Sequence, residues 1–451
     1  MAPLSIRRIC CGAPGASEEL ASLRTLLSGS GNVVSPRSQA LTQKVFGAPL
    51  TPVQVVERIC EDVRSRGREA LFHYTRQFDQ VDLTPQTVRV SAQELKNAHE
   101  KVDAEFLDTV RQVRQNVMAF QLGVLHRNAI LSVAGMHQLQ LRYRPMRRVG
   151  VLVPGGAAAY PSTLLMTICP AQAAGVKELA VVMPPTEHGA NNPSLLAVCH
   201  ELGVTEVYRI GGAQAVATLA YGVEDIAPVD MIVGPGNLFV ALAKRHVYGQ
   251  VAIDCIAGPS EVIILADDTA PPQYVAADLI AQAEHSPGSS ILITWDESVL
   301  DEVARELERQ LVRLSRGDLA RDSLERFGAL VLARNIDEAL ELTNRLGPEH
   351  LEIITREPAA LGDRIDNAGA IFLGPYSPVA IGDYAAGPSH VLPTGGTARF
   401  TSGLSACDFQ RRSSVLTFTK EGLGDMAEDA IRLADVEGLT AHAASVAIRV
   451  T

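Results

Sequence analysis

A glutamine and a histidine lie three residues apart near the end of a predicted amphipathic helix. They are Gln282 and His285 in the run DLIAQAEHSPGSS, just before a Pro–Gly pair. Positions i and i+3 share one face of a helix, with Cβ atoms about 5–6 Å apart. The amide and the imidazole could therefore bind one metal ion. They could equally form a solvated helix end, because histidine suits the negative end of the helix dipole.

An acid and an imidazole are adjacent at a predicted helix-to-strand junction, in the run GPEHLEI. Gly347 and Pro348 account for the end of the helix, but not for Glu349 and His350 in a rigid turn before a buried strand. Histidine titrates near neutral pH and is the commonest general base. An adjacent carboxylate could activate water, so the pair is a candidate for acid–base catalysis, with a structural role as the alternative.

A loop rich in glycine and proline adds further candidates. It spans residues 380–396 and carries Asp383, Tyr384 and His390. Loops on rigid scaffolds often carry function, although each of these residues alone could belong to a solvated loop. His442, in the run EGLTAH, is by itself more typical of a helix surface.

Three glycine-rich turns each follow an apolar strand and precede a helix. They are VPGG, RIGG and VGPGN, at residues 153–156, 209–212 and 233–237. Ligands of open α/β sheets bind outside the carboxyl ends of the strands, against helix N-termini, so the turns indicate a dinucleotide or phosphate ligand. None of them matches G-x-G-x-x-G, and no acidic residue sits convincingly after the next strand. Tight turns also need glycine for backbone reasons alone, so both interpretations stay open.

The composition argues against several classes of protein. The chain has 451 residues and a net charge of −11, which argues against a nucleic-acid partner because phosphate binding needs basic patches. No signal peptide is evident, and no segment reaches the roughly 18 apolar residues of a membrane span. We therefore expect a cytoplasmic protein that does not bind membranes.

The seven cysteines are odd in number and show no C-x-x-C spacing. This pattern argues against a disulfide framework and against a thiolate zinc site. Cys169 and Cys255 could be thiol nucleophiles of an aldehyde oxidation. Each lies in an apolar context without a neighbouring base in the sequence, which favours buried free thiols.

Short apolar strands alternate with predicted helices over much of the chain. Residues from Ser38 to about Val133 are predicted to be mostly helical, with Thr51 as N-cap and Pro52 at the first helical position. From residue 149 strands alternate with helices, and the alternation resumes after Cys255. Such alternation indicates parallel sheets with right-handed crossovers.

The sequence therefore predicts an α/β fold with two doubly wound, incomplete Rossmann-like parallel-sheet domains and small helical N- and C-terminal extensions. A length of 451 residues is too great for one ordinary core. The predicted division is an N-terminal helical arm at 1–37, a discontinuous α/β domain at 38–148 and 256–380, an inserted α/β domain at 149–255 and a C-terminal extension at 381–451.

Eight motifs occur in the order found in the histidinol dehydrogenase family, which this chain resembles from about Ser38 to its end. The motifs are RRVGVLVPGGAAAYPSTLLM, IGGAQAVATLAYG, DMIVGPGN, AGPSEVIILAD, ADLIAQAEH, GPEHLEI, GDYAAGPSHVLPTGGTARF and EGLTAH. Linked motifs in a fixed order are far more specific than any single glycine-rich turn.

The resemblance implies a zinc- and NAD-dependent enzyme of histidine biosynthesis. Such an enzyme oxidises L-histidinol through L-histidinal to L-histidine, with two NAD and one zinc ion per subunit. The resemblance also implies an intertwined homodimer, in which the C-terminal extension completes the active site of the partner subunit. The discontinuous domain would carry the metal and acid–base residues, and the inserted domain would hold the dinucleotide.

The resemblance also assigns roles to individual residues. Glu349 and His350 match the acid–base pair of the family, with His350 as base and Glu349 activating water. The implied zinc ligands are Gln282, His285, Asp383 and His442, the last reaching over from the partner subunit. The implied substrate-binding residues are Ser260, Gln282, His285, His350, Asp383, His390, Glu437 and His442. The implied dinucleotide contacts are Gln214 and Asn237.

The chain departs from the family pattern at one place in the dinucleotide side. The family often has an aromatic residue two positions before the proline of VPGG, where this chain has Leu152. The departure affects one nucleotide contact and not the dinucleotide site as a whole. Residues 1–37 lie outside the resemblance, so no role is assigned to them.

Three other functions are compatible with parts of the sequence. A related NAD-dependent dehydrogenase of the same fold could act on another small alcohol such as a sulfonated diol, although His390 and Glu437 favour an imidazole-bearing substrate. A non-catalytic α/β binding protein would have lost the acid–base pair or the metal set, and both are complete. A thiol-dependent aldehyde dehydrogenase would make Cys169 or Cys255 essential.

Overall fold

The structure is a computed structural model that describes residues 3–27, 36–156, 158–285 and 288–451. Its strands in these ranges are β1 (Arg7–Cys10), β2 (Ala129–Val133), β3 (His137–Pro145), β4 (Arg148–Leu152), β5 (Glu178–Val182), β6 (Glu206–Tyr208), β7 (Met231–Val233), β8 (Ala252–Ile253), β9 (Ser260–Ala266), β10 (Gly288–Thr294), β11 (Ala329–Leu332), β12 (His350–Ile354), β13 (Ala370–Leu373) and β14 (Gln410–Phe418).

Helices connect most of these strands and cover the sheets. They are α1 (Ala16–Leu27), α2 (Pro36–Phe46), α3 (Pro52–Arg66), α4 (Arg68–Asp79), α5 (Ala92–Lys101), α6 (Ala104–Val124), α7 (Pro161–Ala174), α8 (Pro193–Glu201), α9 (Gly212–Tyr221), α10 (Leu238–Val247), α11 (Pro272–Ala283), α12 (Glu297–Leu311), α13 (Gly317–Phe327), α14 (Ile336–Leu346), α15 (Pro358–Gly362), α16 (Val379–Tyr384), α17 (Lys420–Val436) and α18 (Thr440–Val450). Two short 3₁₀ helices lie at Thr397–Arg399 and Ala406–Phe409.

A five-stranded parallel sheet has the order β6-β5-β4-β7-β8. Side chains alternate across a strand, so Val149 and Val151 of β4 face one hydrophobic core and Leu152 faces another. Both faces of the sheet are therefore buried, as in doubly wound α/β proteins.

The helices between residues 52 and 124 cover this five-stranded sheet. Ile59 of α3 and Leu71 of α4 lie in the core that contains Leu152, and Val117 of α6 lies in the core that contains Val149. The prediction that residues 38–148 group with residues 256–380 is therefore wrong for these helices. Their amphipathic pattern identifies a buried face, but it does not identify the sheet that buries it. The Thr51 N-cap with Pro52 at the first helical position is confirmed.

A six-stranded parallel sheet has the order β1-β11-β10-β9-β12-β13. Val262 and Ile264 of β9 face one core, whereas Ile263 and Leu265 face the other. Together the two sheets confirm the predicted α/β fold with two doubly wound parallel sheets.

The N-terminal segment contributes an edge strand to the six-stranded sheet. Ile9 of β1 pairs in parallel with Val331 of β11 and is 2% exposed. The predicted N-terminal helical arm at 1–37 therefore contains a strand before its helices. Residues 1–2 and 28–35 of that arm lie outside the described residues.

A three-stranded antiparallel sheet has the order β14-β3-β2 and joins distant parts of the chain. Leu141 of β3 pairs with Ser414 of β14 and with Ala129 of β2. The sequence predicts helix up to about Val133 and a helical C-terminal extension, so strands β2 and β14 are corrections to these two predictions. Strand β2 is exposed along its whole length and therefore lacks the alternating burial that marks a strand in sequence. Among the described helices, none is both long and apolar enough to cross a bilayer.

Candidate active site

The two parallel sheets face each other across a cavity of about 680 Å³. Gly155, Gly212 and Gly236 line it from turns at the carboxyl ends of strands in the five-stranded sheet. Ser260 and His350, the first residues of β9 and β12, line it from the amino ends of strands in the six-stranded sheet. The cavity therefore lies between the carboxyl edge of one sheet and the amino edge of the other.

The carboxyl edge presents helix N-termini to the cavity. Gln214 lies in the first turn of α9, is 2% exposed and lines the cavity. Asn237 is the N-cap of α10, where its Oδ1 accepts the Val240 N–H at 3.1 Å. Gly212 has φ +66°, and a Cβ there would lie 2.7 Å from Gln214 Oε1, so the turn requires glycine. Helix N-termini of this kind bind anions.

Aromatic rings line the cavity although Leu152 occupies the position that is often aromatic in the family. Leu152 is buried and lines the cavity, as do Tyr160 at the start of α7 and Phe239 in α10. The cavity therefore has aromatic surface at other positions than the one expected from the resemblance.

A buried ion pair holds the turn that follows β7. Lys244 Nζ forms an ion pair with Asp254 Oδ1, and both side chains are no more than 3% exposed. Lys244 Nζ also donates to the Gly234 carbonyl at 3.0 Å, and Asp254 Oδ2 accepts the Gly234 N–H at 2.7 Å. Gly234 has φ +107°, and a Cβ there would overlap the Leu152 carbonyl. The pair thus fixes the backbone that leads to Asn237.

A chain of hydrogen bonds runs along the amino edge. Gln282 Nε2 donates to Ser260 Oγ at 2.8 Å, and Ser260 Oγ donates to Glu349 Oε2 at 2.7 Å. The Glu261 N–H donates to the same carboxylate oxygen at 2.9 Å. Glu349 is therefore fixed by two donors, and Gln282 is tied to it through one hydroxyl.

His350 is oriented so that one ring nitrogen is left without a hydrogen bond. Its Nδ1 lies 3.2 Å from the Glu261 carbonyl, which can only accept, so Nδ1 carries the proton in the neutral ring. Nε2 is buried without a hydrogen-bond partner and lies 3.5 Å from Asp383 Oδ1. Nδ1 is also 3.6 Å from Glu349 Oε2.

Burial and mutual attraction shift the pKa values of these groups. Burial raises the pKa of Glu349 above its usual range. Burial lowers the pKa of His350, but the carboxylates of Glu349 and Asp383 outweigh it and raise that pKa to about 9. Burial also acts to raise the pKa of Asp383, but attraction to His350 prevails and lowers it. An imidazole flanked by two carboxylates is therefore poised to hold a proton.

Glu261 is a further buried acid at the same edge. Burial, with repulsion from Glu349, raises its pKa to about 8. Its Oε1 accepts the Gly395 N–H at 2.9 Å, and this bond ties down the loop that carries His390. His390 Nδ1 bonds the Asp383 carbonyl at 3.0 Å, and burial lowers the pKa of His390, so its ring is neutral.

Three of the predicted metal ligands come from neighbouring elements of the amino edge. Gln282 lies in the last turn of α11, whereas His285 lies in the turn just after that helix, which ends at Ala283. His285 and Asp383 both line the cavity, and Gln282 reaches it through its bond to Ser260. Nitrogen and oxygen donors of these types suit zinc. Among the described residues, however, no group of three or more histidine, cysteine or acidic side chains forms a complete metal site.

Two of the predicted site residues lie elsewhere in the chain. Glu437 caps the end of α17 and His442 lies in α18, and both side chains are exposed. Neither lines the cavity. The structure thus brings Ser260, His285, Glu349, His350, Asp383, His390, Gln214 and Asn237 together around one cavity and leaves these two outside it.

Sequence reasoning missed several residues that shape the cavity. Lys244 and Asp254 hold one of its turns, Glu261 holds a loop, and Asp79 lines the cavity from α4. Lys244 follows the apolar run LFVALA but is itself followed by Arg245 and His246, so the sequence does not single it out as a buried charge. No sequence pattern pointed to Asp79 as a cavity residue, because helices α3 and α4 were expected to pack on the six-stranded sheet.

Glycine-rich turns at a carboxyl edge that faces a buried glutamate–histidine pair across one cavity are an arrangement typical of α/β enzymes. Residues 50–450 match the histidinol dehydrogenase family model. A histidinol dehydrogenase from Rhodopirellula baltica is 58% identical over 434 residues, which are 96% of this chain and 94% of the relative. One from Geobacillus kaustophilus is 47% identical over 392 residues, 87% of this chain and 92% of the relative.

A solved structure agrees with these relatives. The crystal structure of histidinol dehydrogenase from Elizabethkingia anophelis matches with a TM-score of 0.89 at 32% identity, and the match covers 100% of this chain and 99% of that one. The chain belongs to the histidinol dehydrogenase family, and it is therefore an oxidoreductase.

Proposed function

We propose that the chain is a zinc-dependent four-electron dehydrogenase that oxidises L-histidinol through L-histidinal to L-histidine with two NAD. The observation that carries the proposal is the joint lining of one cavity by the glycine-rich turns and by Glu349 and His350. A dehydrogenase needs a hydride acceptor at the carbinol carbon and a proton acceptor at the hydroxyl oxygen on that carbon. The two edges of the cavity are proposed to hold these two acceptors.

The dinucleotide is proposed to lie along the carboxyl edge. Its pyrophosphate suits the N-termini of α9 and α10, and Gln214 and Asn237 are proposed to contact it there. NAD, when bound, accepts the hydride of each oxidation.

Zinc is proposed to be held by Gln282, His285 and Asp383 of one subunit together with His442 of the other. When bound, the ion supplies a Lewis-acidic centre that suits the imidazole and amine of histidinol. The donors proposed from the first subunit are one imidazole, one carboxylate and one amide, so the fit of these three rests on their chemistry and on their common position at the amino edge.

His350 is proposed to be the base of both oxidations. With Nδ1 held by the Glu261 carbonyl, Nε2 is the atom that takes the alcohol proton first and the gem-diol proton later. Between these steps Glu349 takes a proton from the water that adds to the aldehyde. Ser260 and His390 are proposed to bind the substrate beside this pair, because both line the same cavity.

A homodimer with shared active sites is the proposed assembly. Leu416, Leu433, Val436 and Ile448 are 62–82% exposed on β14, α17 and α18, and apolar side chains gathered on one segment indicate a covered surface. Glu437 and His442 belong to the same segment, so its docking on a second copy could bring them to that copy's cavity.

Hybrid dimers test the shared site. Variants His442→Ala and His350→Gln should each be inactive alone. Mixed by unfolding and refolding together, they should regain about one quarter of wild-type activity, because hybrid dimers of a twofold assembly would contain one intact site. No recovery in a mixture shown to contain hybrid dimers would reject sharing of the site.

The reaction itself is tested by measuring NADH formation from L-histidinol and NAD, with and without prior treatment with a strong chelator. The proposal expects two NADH per histidinol, loss of activity with the chelator and recovery when zinc is added back. Zinc binding without turnover of histidinol would reject the proposed substrate and favour another small alcohol such as a sulfonated diol.

A further inference from the structure

A carboxylate with no evident structural role lines the cavity from the side of α4. Asp79 is the last residue of that helix and is only partly exposed. Apolar side chains line the cavity beside it, namely Leu41, Val55, Ile59 and Phe78. One carboxylate oxygen, Oδ2, is buried without a hydrogen-bond partner.

The position of Asp79 is unfavourable for folding in two respects, and the residue is not needed to end the helix. An acid at the C-terminus of a helix meets the negative end of the helix dipole. The next residue, Gln80, has φ +58° and ends the helix through its own backbone N–H, so Asp79 is not needed as a cap. A buried carboxylate oxygen without a donor carries a desolvation cost, and burial raises the pKa of Asp79 to about 6. A residue kept at such a cost is typical of a binding site.

The positive side chains that could neutralise this acid are few among the described residues of the cavity, because its histidines His285, His350 and His390 belong to the amino edge of the six-stranded sheet or the loops beside it. Among the described residues that line the cavity, none is lysine or arginine. In dinucleotide sites, an acid binds the ribose 2′-hydroxyl of NAD, whereas an arginine accommodates the 2′-phosphate of NADP. A 2′-phosphate near Asp79 would meet a carboxylate and no lysine or arginine of the described lining.

Asp79 also lies on the correct side of the cavity for the adenosine half of a dinucleotide. Helix α4 packs on the five-stranded sheet, whereas His350 begins a strand of the six-stranded sheet. A dinucleotide whose nicotinamide reaches His350 would cross the helix N-termini with its pyrophosphate. Its adenosine half would then extend along the five-stranded sheet, toward α4.

We propose that Asp79 accepts a hydrogen bond from a hydroxyl of the adenosine ribose and repels a 2′-phosphate, so that it selects NAD over NADP. The inference rests on the proposed function, because it presumes that the cavity binds a dinucleotide. In many nucleotide-binding sheets the acid that binds the ribose follows the second strand. Here Asp79 of helix α4 would take that role.

Calorimetric titration of the full-length chain with NAD and with NADP tests the inference without any turnover. The wild-type chain should bind NAD at least about tenfold more tightly than NADP, because a charged hydrogen bond contributes about 1.5–3 kcal/mol. Asp79→Asn and Asp79→Ser should reduce the ratio of the Kd for NADP to the Kd for NAD by about tenfold, mainly because NAD binds more weakly. Thermal unfolding should show neither variant to be less stable than the wild type, since Asp79 Oδ2 has no hydrogen-bond partner among the described residues.

Asp82→Asn is the matched control. Asp82 is an exposed carboxylate three residues along the chain that pairs with Arg76, so its loss should leave the NAD-to-NADP ratio unchanged. An unchanged ratio in both folded Asp79 variants would overturn the inference while leaving the proposed function intact. Wild-type protein that binds neither dinucleotide would instead overturn the proposed function, and the inference with it.

Discussion

The two sheet edges that line the cavity present opposite ends of helices to it. At the carboxyl edge of the five-stranded sheet, α9 and α10 begin at Gly212 and Leu238, so partial positive charge faces the cavity. At the amino edge of the six-stranded sheet, α11 and α14 end at Ala283 and Leu346, so partial negative charge faces it. One edge therefore favours an anion such as a pyrophosphate, and the other favours a cation such as a metal ion or an imidazolium.

The two edges also differ in how their buried charges are paired. The ion pair behind the carboxyl edge, Lys244 with Asp254, has both its charged groups bonded to each other and to the backbone of Gly234. At the amino edge, His350 Nε2 has no hydrogen bond although two carboxylates lie near the ring. The fully paired cluster holds the backbone in place, whereas the incompletely paired one retains an atom that can take a proton.

The largest expected effect is a loss of turnover at the amino edge, which is compared with a loss of NAD binding at the carboxyl edge. His350→Gln should lower turnover by about 10²–10⁴-fold, the usual contribution of a general base, and leave the Kd for NAD unchanged. Asn237→Ala should raise the KM for NAD and leave kcat at saturating NAD close to wild type. Steady-state kinetics and NAD titration check both variants. A His350→Gln enzyme with wild-type kcat would show that the amino edge does not supply the general base.

The second expected effect concerns stability at the carboxyl edge. Lys244→Met should reduce the free energy of unfolding by about 3–5 kcal/mol, because it leaves Asp254 as an unpaired buried carboxylate. Adding Asp254→Asn should recover part of that loss, since no net charge is then buried. Denaturant unfolding measures both variants. If the double variant is no more stable than the single one, the pair does not act as a buried charge pair.

The third prediction tests whether Glu349, at the amino edge, acts only in the oxidation of the aldehyde. Glu349→Gln should slow aldehyde oxidation more than alcohol oxidation, because only the aldehyde step needs water to be activated. Separate assays with L-histidinol and L-histidinal measure the two half-reactions. Equal losses in both would argue against the assigned role of Glu349.

The fourth prediction follows from the pKa of His350, which its carboxylate neighbours raise to about 9. A general base must be neutral, so kcat/KM for histidinol should rise from pH 7 toward pH 9, close to tenfold per unit of pH, and level off above. Glu349→Gln removes one charge that raises this pKa and should move the rise to lower pH. A rise at the same pH in both enzymes would show that Glu349 does not set the pKa of His350.

The smallest expected effect is at the buried thiols. Burial raises the pKa of Cys169 and of Cys255 to about 12, so neither is a thiolate at the pH of the assay. The double variant Cys169→Ala with Cys255→Ala should retain turnover, and iodoacetamide should not inactivate the wild type by reaction at these residues. Loss of aldehyde oxidation in a stably folded double variant would revive the thiol mechanism.

The parallel sheets could be predicted from the sequence because their strands are continuous apolar runs between helices. VGVLV before the first glycine-rich turn and EVIILA after Cys255 both became strands buried on two faces. The proximity of Glu349 and His350 at the cavity was also predictable, because the two residues are adjacent in the chain at the start of β12.

Other features depended on contacts that no local pattern encodes. The amphipathic face of α3 does not identify its sheet, and the exposed strand β2 resembles a loop in its burial. Asp79 reaches the cavity only because α4 packs on the five-stranded sheet. The position of Glu437 and His442 outside the cavity of their own chain likewise cannot be inferred from spacing.

The pairing of β14 with β3 has a consequence for how the protein is made. Residues 410–418 complete a sheet that begins at residue 129, so this sheet stays incomplete until residue 418 has left the ribosome. Contacts between residues so far apart in sequence form late and slowly. While translation continues, β3 therefore has an open edge toward its missing neighbour, and the nascent chain depends on reaching its C-terminal segment to close it.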